Sequence, residues 1–110
     1  MKGVCLTFFV QENHKLHELL AYEWLLERAR KLGIPGGSAV RALAGFGRHG
    51  RIHEDSFFEL TGDLPVQVEF FITEEDAARL LATVEAEKVS VFFVKTPADF
   101  GVTCPGEKPA

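Results

Sequence analysis

An α+β fold, with two helices on one face of a four-stranded antiparallel sheet, is what three features of this sequence predict. Segments of period-two alternation and segments of helical period follow one another in the order β-α-β-β-α-β. Turn and cap residues fall between the segments rather than inside them. The chain has 110 residues, which is the length of one domain with one core. This order is the split βαβ arrangement called ferredoxin-like.

Gly3 to Gln11 alternates, with Val4, Leu6, Phe8 and Val10 on one face and Cys5, Thr7, Phe9 and Gln11 on the other, as a strand requires. Leu16 to Leu32 reads as a long helix, with Asn13 as N-cap, Gly33 as the left-handed stop and Pro35 beyond it. Glu27 and Lys31 have the i,i+4 order that favours pairing. Pro35-Gly36-Gly37 is a turn, and Ser38 to Phe46 reads as the second strand. From Gly45 to Asp55 glycine, arginine and histidine replace the apolar pattern, so this stretch is expected to be an exposed loop or hairpin tip. Phe57 to Leu60 is too short to classify, and Thr61-Gly62-Asp63 is turn chemistry. Val66 to Ile72 is a strand. Thr73 then caps a helix whose acidic first turn, Glu74-Glu75-Asp76, sits at the positive end of the helix dipole. Ala77, Leu80, Leu81 and Val84 supply its apolar stripe. Val89 to Val94 is the last strand, ended by Thr96-Pro97. Residues 1–96 are thus expected to form the domain and 97–110 a flexible C-terminal tail.

Composition narrows the function. A net charge of −4 argues against general nucleic-acid binding. No apolar run approaches the ~18 residues that span a bilayer, and no signal peptide is visible at the start. Two cysteines, Cys5 and Cys104, make no disulfide framework, which fits a reducing, cytoplasmic setting. Ten phenylalanines are the unusual feature. Phe8-Phe9, Phe70-Phe71 and Phe92-Phe93 are adjacent pairs on strands, and neighbours on a strand point to opposite faces. One member of each pair therefore leaves the helix-covered core. Three Phe on the open face make a patch that monomers seldom expose, so another subunit is expected to cover it. A local lid from the tail or from Phe57-Phe58 is the alternative.

The stretch Gly45-Phe46-Gly47-Arg48-His49-Gly50-Arg51-Ile52-His53 is a local basic cluster in an acidic chain. Its glycines allow backbone amides to form an anion-binding nest, and Arg48 and Arg51 add planar donors for phosphate or carboxylate. The competing reading is a solvated hairpin tip. His49 and His53 are weak metal candidates, because no third ligand is set by spacing. No catalytic residue emerges. Cys5 lies in an apolar strand, and Ser38, Ser56 and Ser90 have no adjacent base, so an enzyme is not expected. Glu69 projects from mid-strand onto the helix-free face, where it either meets water or takes a cation or a ligand hydroxyl.

At Gly45-Phe46-Gly47-Arg48 the chain resembles the PII signalling superfamily, and more closely its PII-like relative, the family called domain of unknown function one-ninety. The markers appear in order: Leu32-Gly33-Ile34, Gly37 before Val40-Arg41, Gly45-Phe46-Gly47, Ile52-His53, Asp63-Leu64-Pro65 and Thr73-Glu74-Glu75. The likeness covers about residues 2–95. It implies a homotrimer with the three sheets lining the centre, and an adenine nucleotide as effector in clefts between subunits. The ligand-binding set it implies is Arg41, Gly45, Gly47, Arg48 and Arg51, with Glu69 and Phe71 on the neighbouring strand. No tightly held cofactor is implied. The 47–56 loop would engage a membrane transporter or channel. The sequence departs from PII proteins between Glu85 and Val89, where no glycine-rich phosphate loop occurs, and after the last strand, where only Lys95 is basic. A ligand smaller than a triphosphate, such as AMP, a cyclic nucleotide or a simple anion, follows from that loss. Two alternatives stand beside this reading: a ligand-free interaction subunit of a fluoride-channel-type membrane protein, and a metal-handling trimer using His49 and His53.

Overall fold

The computed structural model describes residues 1–46, 52–54 and 64–110. Strand β1 (Lys2–Gln11) leads into a small hairpin, β2 (Lys15–Leu16) and β3 (Leu19–Leu20), and then helix α1 (Ala21–Lys31). Strand β4 (Ser38–Arg41) is followed by a separate ribbon, β5 (Ala44–Phe46) paired with β6 (Ile52–Glu54). Strand β7 (Pro65–Ile72), helix α2 (Glu74–Ala86) and strand β8 (Phe92–Asp99) complete the chain. The main sheet runs β4-β7-β1-β8 with every pair antiparallel, which is the predicted ferredoxin-like topology.

Period-two alternation sets which side of the sheet each residue occupies. Val4, Leu6 and Phe8 of β1 and Val66, Val68, Phe70 and Ile72 of β7 are buried. They form one core with Ala21, Trp24, Leu25 and Ala29 of α1 and Ala77, Leu80 and Val84 of α2. Both helices therefore cover one face. Phe8 and Phe70 meet edge to face in the middle of this core, with centroids 6.3 Å apart. Gly37 is needed here for space, since a Cβ at that position would strike the Phe70 ring.

Several element boundaries differ from expectation, each for a physical reason. Helix α1 starts at Ala21 rather than Leu16, because residues 15–20 close a two-residue hairpin with His17 in the left-handed region, φ 59°. Asn13 is not its N-cap. Leu20 takes that position, and its amide donates to the Glu23 carboxylate at 3.4 Å. The ring of His17 lies 2.6 Å from a Glu87 carboxylate oxygen, joining the hairpin to the end of α2. Gly33 does end α1, with φ 84°, and the amides of Gly33 and Ile34 bond back to Arg30 and Ala29 as in a Schellman motif. Glu27 pairs with Arg30 rather than with Lys31. Thr73 caps α2 as expected, its hydroxyl accepting from the Asp76 amide at 3.1 Å.

Ser38 to Phe46 is not one strand. It breaks at Ala42-Leu43, where the Ala42 amide turns to the Pro65 carbonyl at 2.9 Å, so β5 leaves the main sheet. The last strand begins later than expected, at Phe92, and continues through Pro97 to Asp99. Proline is tolerated because β8 is an edge strand. Residues 97–99 thus pair with β1 rather than opening the tail, and the Phe100 amide adds a bond to the Met1 carbonyl.

Candidate functional site

The helix-free face of the sheet carries the other members of the Phe pairs. Register places Phe9 opposite Phe92 and Phe71 opposite Cys5. Phe71 and Phe92 are each more than half exposed, at 54% and 53%, and Val40 and Val94 widen the patch. The third pair resolves the same way: Phe93 sits opposite Phe8 on the helix side, and Phe92 on the open side. Phe9 lies between core and solvent and packs on Phe92 at 5.5 Å. Within this apolar face Glu69 pairs with Ser38 on one side and Thr7 on the other. Thr7 is buried at 8% exposure, and its Oγ1 lies 3.6 Å from Cys5 Sγ. Glu69 is only partly exposed, and among the described residues no hydrogen bond or ion pair reaches its carboxylate.

A second polar feature forms where the chain leaves the sheet for the ribbon. Arg41 ends β4 opposite Val66, so its side chain emerges on the helix side rather than with Glu69. Its guanidinium donates to Glu12 Oε2 at 3.0 Å. Glu12 in turn donates its amide to the Leu64 carbonyl at 2.8 Å, close to the Ala42–Pro65 bond. Both ends of the intervening stretch, residues 42 and 64–65, are therefore held at one point beside this ion pair. A groove of about 190 Å³, lined by Glu12, Tyr22, Ala39, Arg41 and Val66, opens next to it. A second cavity of about 300 Å³ lies at the other end of β4, among Leu26, Ile34, the Gly36-Gly37 turn and Phe70.

The expected ligand residues divide among these places. Arg41 lies at the groove, Gly45 pairs with His53 in the ribbon, and Glu69 and Phe71 face the open side of β7. Gly47, Arg48, Arg51 and His49 fall outside the described residues, as do Phe57 and Phe58. His53 lies on strand β6. Among the described residues no three His, Cys, Asp or Glu side chains cluster as metal ligands would. Also among the described residues, no helix is long and apolar enough to cross a membrane. Sequence reading missed the Glu12–Arg41 pair, because the two residues are 29 positions apart and no local motif joins them. The acidic residue just after an alternating strand was the available signal.

Comparison with known proteins agrees with this architecture. The model of the DUF190 family, described as an uncharacterized ACR family, matches residues 3–94. A UPF0166 protein of Aquifex aeolicus (strain VF5) is 33% identical over 87 residues, covering 79% of this chain and 83% of that protein. Among solved structures, CPII, a nitrogen regulatory PII-like protein from Thiomonas intermedia K12 bound to ADP, AMP and bicarbonate, superposes with a TM-score of 0.67. The match covers 93% of this chain and 91% of that one at 23% identity. A PII-like signaling protein from Thermus thermophilus gives a TM-score of 0.61 at 19% identity, over 88% and 87% of the two chains. The fold is PII-like.

Proposed function

This chain belongs to the DUF190 family, and from that membership and its PII-like fold we propose that it is a non-enzymatic regulatory protein acting as a homotrimer. It binds a small anionic effector, an adenine nucleotide such as AMP, in clefts between subunits. The bound state is transmitted to a membrane transporter or channel through the 47–56 loop. The observation that carries the reading is the apolar open face of the sheet. Phe71, Phe92, Val40 and Val94 are exposed there in one chain, which is the condition a neighbouring subunit relieves. Covering that face would also bury Glu69, whose carboxylate then requires a cation or a hydroxyl from the neighbouring subunit or the ligand.

In this reading the cleft is built from Gly45, Gly47, Arg48 and Arg51 at the base of the loop, with Glu69 and Phe71 on the adjoining strand, while Arg41, expected in the same set, lies on the opposite side of the sheet and stands apart from it. The Thiomonas protein's ADP, AMP and bicarbonate supply the ligand classes to try first. Between α2 and β8 no glycine supports a phosphate loop, and Lys88 occupies the left-handed position, φ 58°. Fewer phosphate donors favour a monophosphate over a triphosphate, each charge-assisted bond being worth about 1.5–3 kcal/mol. The test is thermal unfolding with AMP, ADP, ATP and cyclic AMP at millimolar levels, each with and without bicarbonate. Binding to the native state raises Tm by mass action, AMP or ADP more than ATP. No shift with any of them would remove nucleotide sensing from the proposal.

A further inference from the structure

The groove beside β4 already contains a carboxylate on a guanidinium, and the carboxylate belongs to the chain itself. Arg41 and Glu12 meet at 3.0 Å, with the Arg41 side chain 43% exposed and that of Glu12 22% exposed. The groove they line with Tyr22, Ala39 and Val66 measures about 190 Å³, below the ~300 Å³ at which cofactor pockets begin. It has room for a few-atom ion and its waters, each water taking about 30 Å³. A planar guanidinium is matched by planar oxyanions. Glu12 is also tied through its backbone amide to Leu64, next to the Pro65 carbonyl that holds Ala42.

We propose that this groove is a second anion site, for a small planar oxyanion of the carboxylate or bicarbonate type, and that Glu12 is its internal competitor. When an external anion takes Arg41, Glu12 is released, and the change is felt at the point where the chain enters and leaves the 43–63 stretch. The role given to that stretch rests on the function proposed above, but anion binding at Arg41 does not. The groove lies on the helix side of the sheet, away from Glu69 and Phe71, so it is distinct from the open-face surface.

The test is titration of the full-length, isotope-labelled chain with sodium acetate and, separately, sodium bicarbonate, using sodium chloride at equal ionic strength as reference. Amide signals of Glu12, Ala42 and Leu64 report the site. Wild type is expected to show weak, saturable shifts with acetate or bicarbonate and none with chloride. Glu12→Gln, which keeps the size and removes the competing charge, should bind at least threefold more tightly, and Glu12→Ala should do the same. Arg41→Gln should abolish the shifts. Unfolding midpoints of the variants show that they remain native. Equal affinity in wild type and both Glu12 variants, or retained shifts in Arg41→Gln, would overturn the proposal. Either failure would leave a nucleotide-induced rise in Tm intact, so the two readings are judged separately.

Discussion

Phe9 and Phe92 face each other across the β1–β8 pair with ring centroids 5.5 Å apart, on the side of the sheet that carries no helix. One residue away in the chain, Phe8 is fully buried against Phe70 on the other side. Two neighbouring phenylalanines thus have different consequences. Phe8→Ala removes core volume and should cost about 3–5 kcal/mol of stability, seen as a fall in the urea midpoint. Phe92→Lys touches only the open face, so it should leave the folded subunit intact by circular dichroism. It should instead convert a trimer to monomers in light scattering. A trimer that survives both Phe92→Lys and Phe71→Glu would place the subunit contact elsewhere.

Gly37 and Gly36 separate packing from flexibility in one turn. A Cβ on Gly37 would enter the Phe70 ring, whereas one on Gly36 meets nothing within 4 Å. Gly37→Ala should therefore destabilise by about 1–3 kcal/mol, the usual cost of overpacking. Gly36→Ala should stay within about 0.5 kcal/mol of wild type. Equal urea midpoints for the two variants would rule out a packing role for Gly37.

The ends of α2 make opposite predictions. Thr73→Ala loses the bond to the Asp76 amide and should cost about 1 kcal/mol. Lys88 follows the C-cap in the left-handed region without being glycine. Relief of that conformation means Lys88→Gly should stabilise by up to about 1 kcal/mol, after the added chain entropy of glycine is offset. Denaturant curves on the two variants check both signs.

Glu27 on α1 accepts two hydrogen bonds from Arg30, and these hold its carboxyl below the ordinary value while raising that of Arg30. A depressed carboxyl stabilises the fold above its unfolded pKa, and that contribution is lost as pH falls through the folded value. The pair is exposed, so its effect is small and salt-sensitive. Carbon-detected titration should show the Glu27 midpoint move up in Arg30→Gln. An unchanged midpoint would mean that the pair does not persist in solution.

The faces of the sheet were legible in the sequence because β1 and β7 alternate without interruption, and adjacent Phe residues must then divide between the two sides. The start of α1 was not legible. Leu16, Leu19 and Leu20 continue a helical stripe, and only the left-handed conformation of His17 turns them into a hairpin. Pro97 looked like a strand end because the sequence does not say which strand is at an edge. The break after Arg41 depends on Pro65 taking the Ala42 amide, a contact between distant segments. For the candidate site, alternation tells that Glu69 and Phe71 share the open face, and only the resemblance makes them ligand residues, whereas Arg41 acquires its partner Glu12 only through the tertiary fold.

A trimer with nucleotide clefts between its subunits has a mass signature that no monomeric binder shares, and native mass spectrometry of the full-length protein with AMP reads it. The expected spectrum is a trimer carrying up to three AMP molecules, with no AMP on any monomer produced by Phe92→Lys. A wild-type monomer, or a trimer that retains no nucleotide at millimolar AMP, ADP or ATP, would refute the proposed assembly and its role.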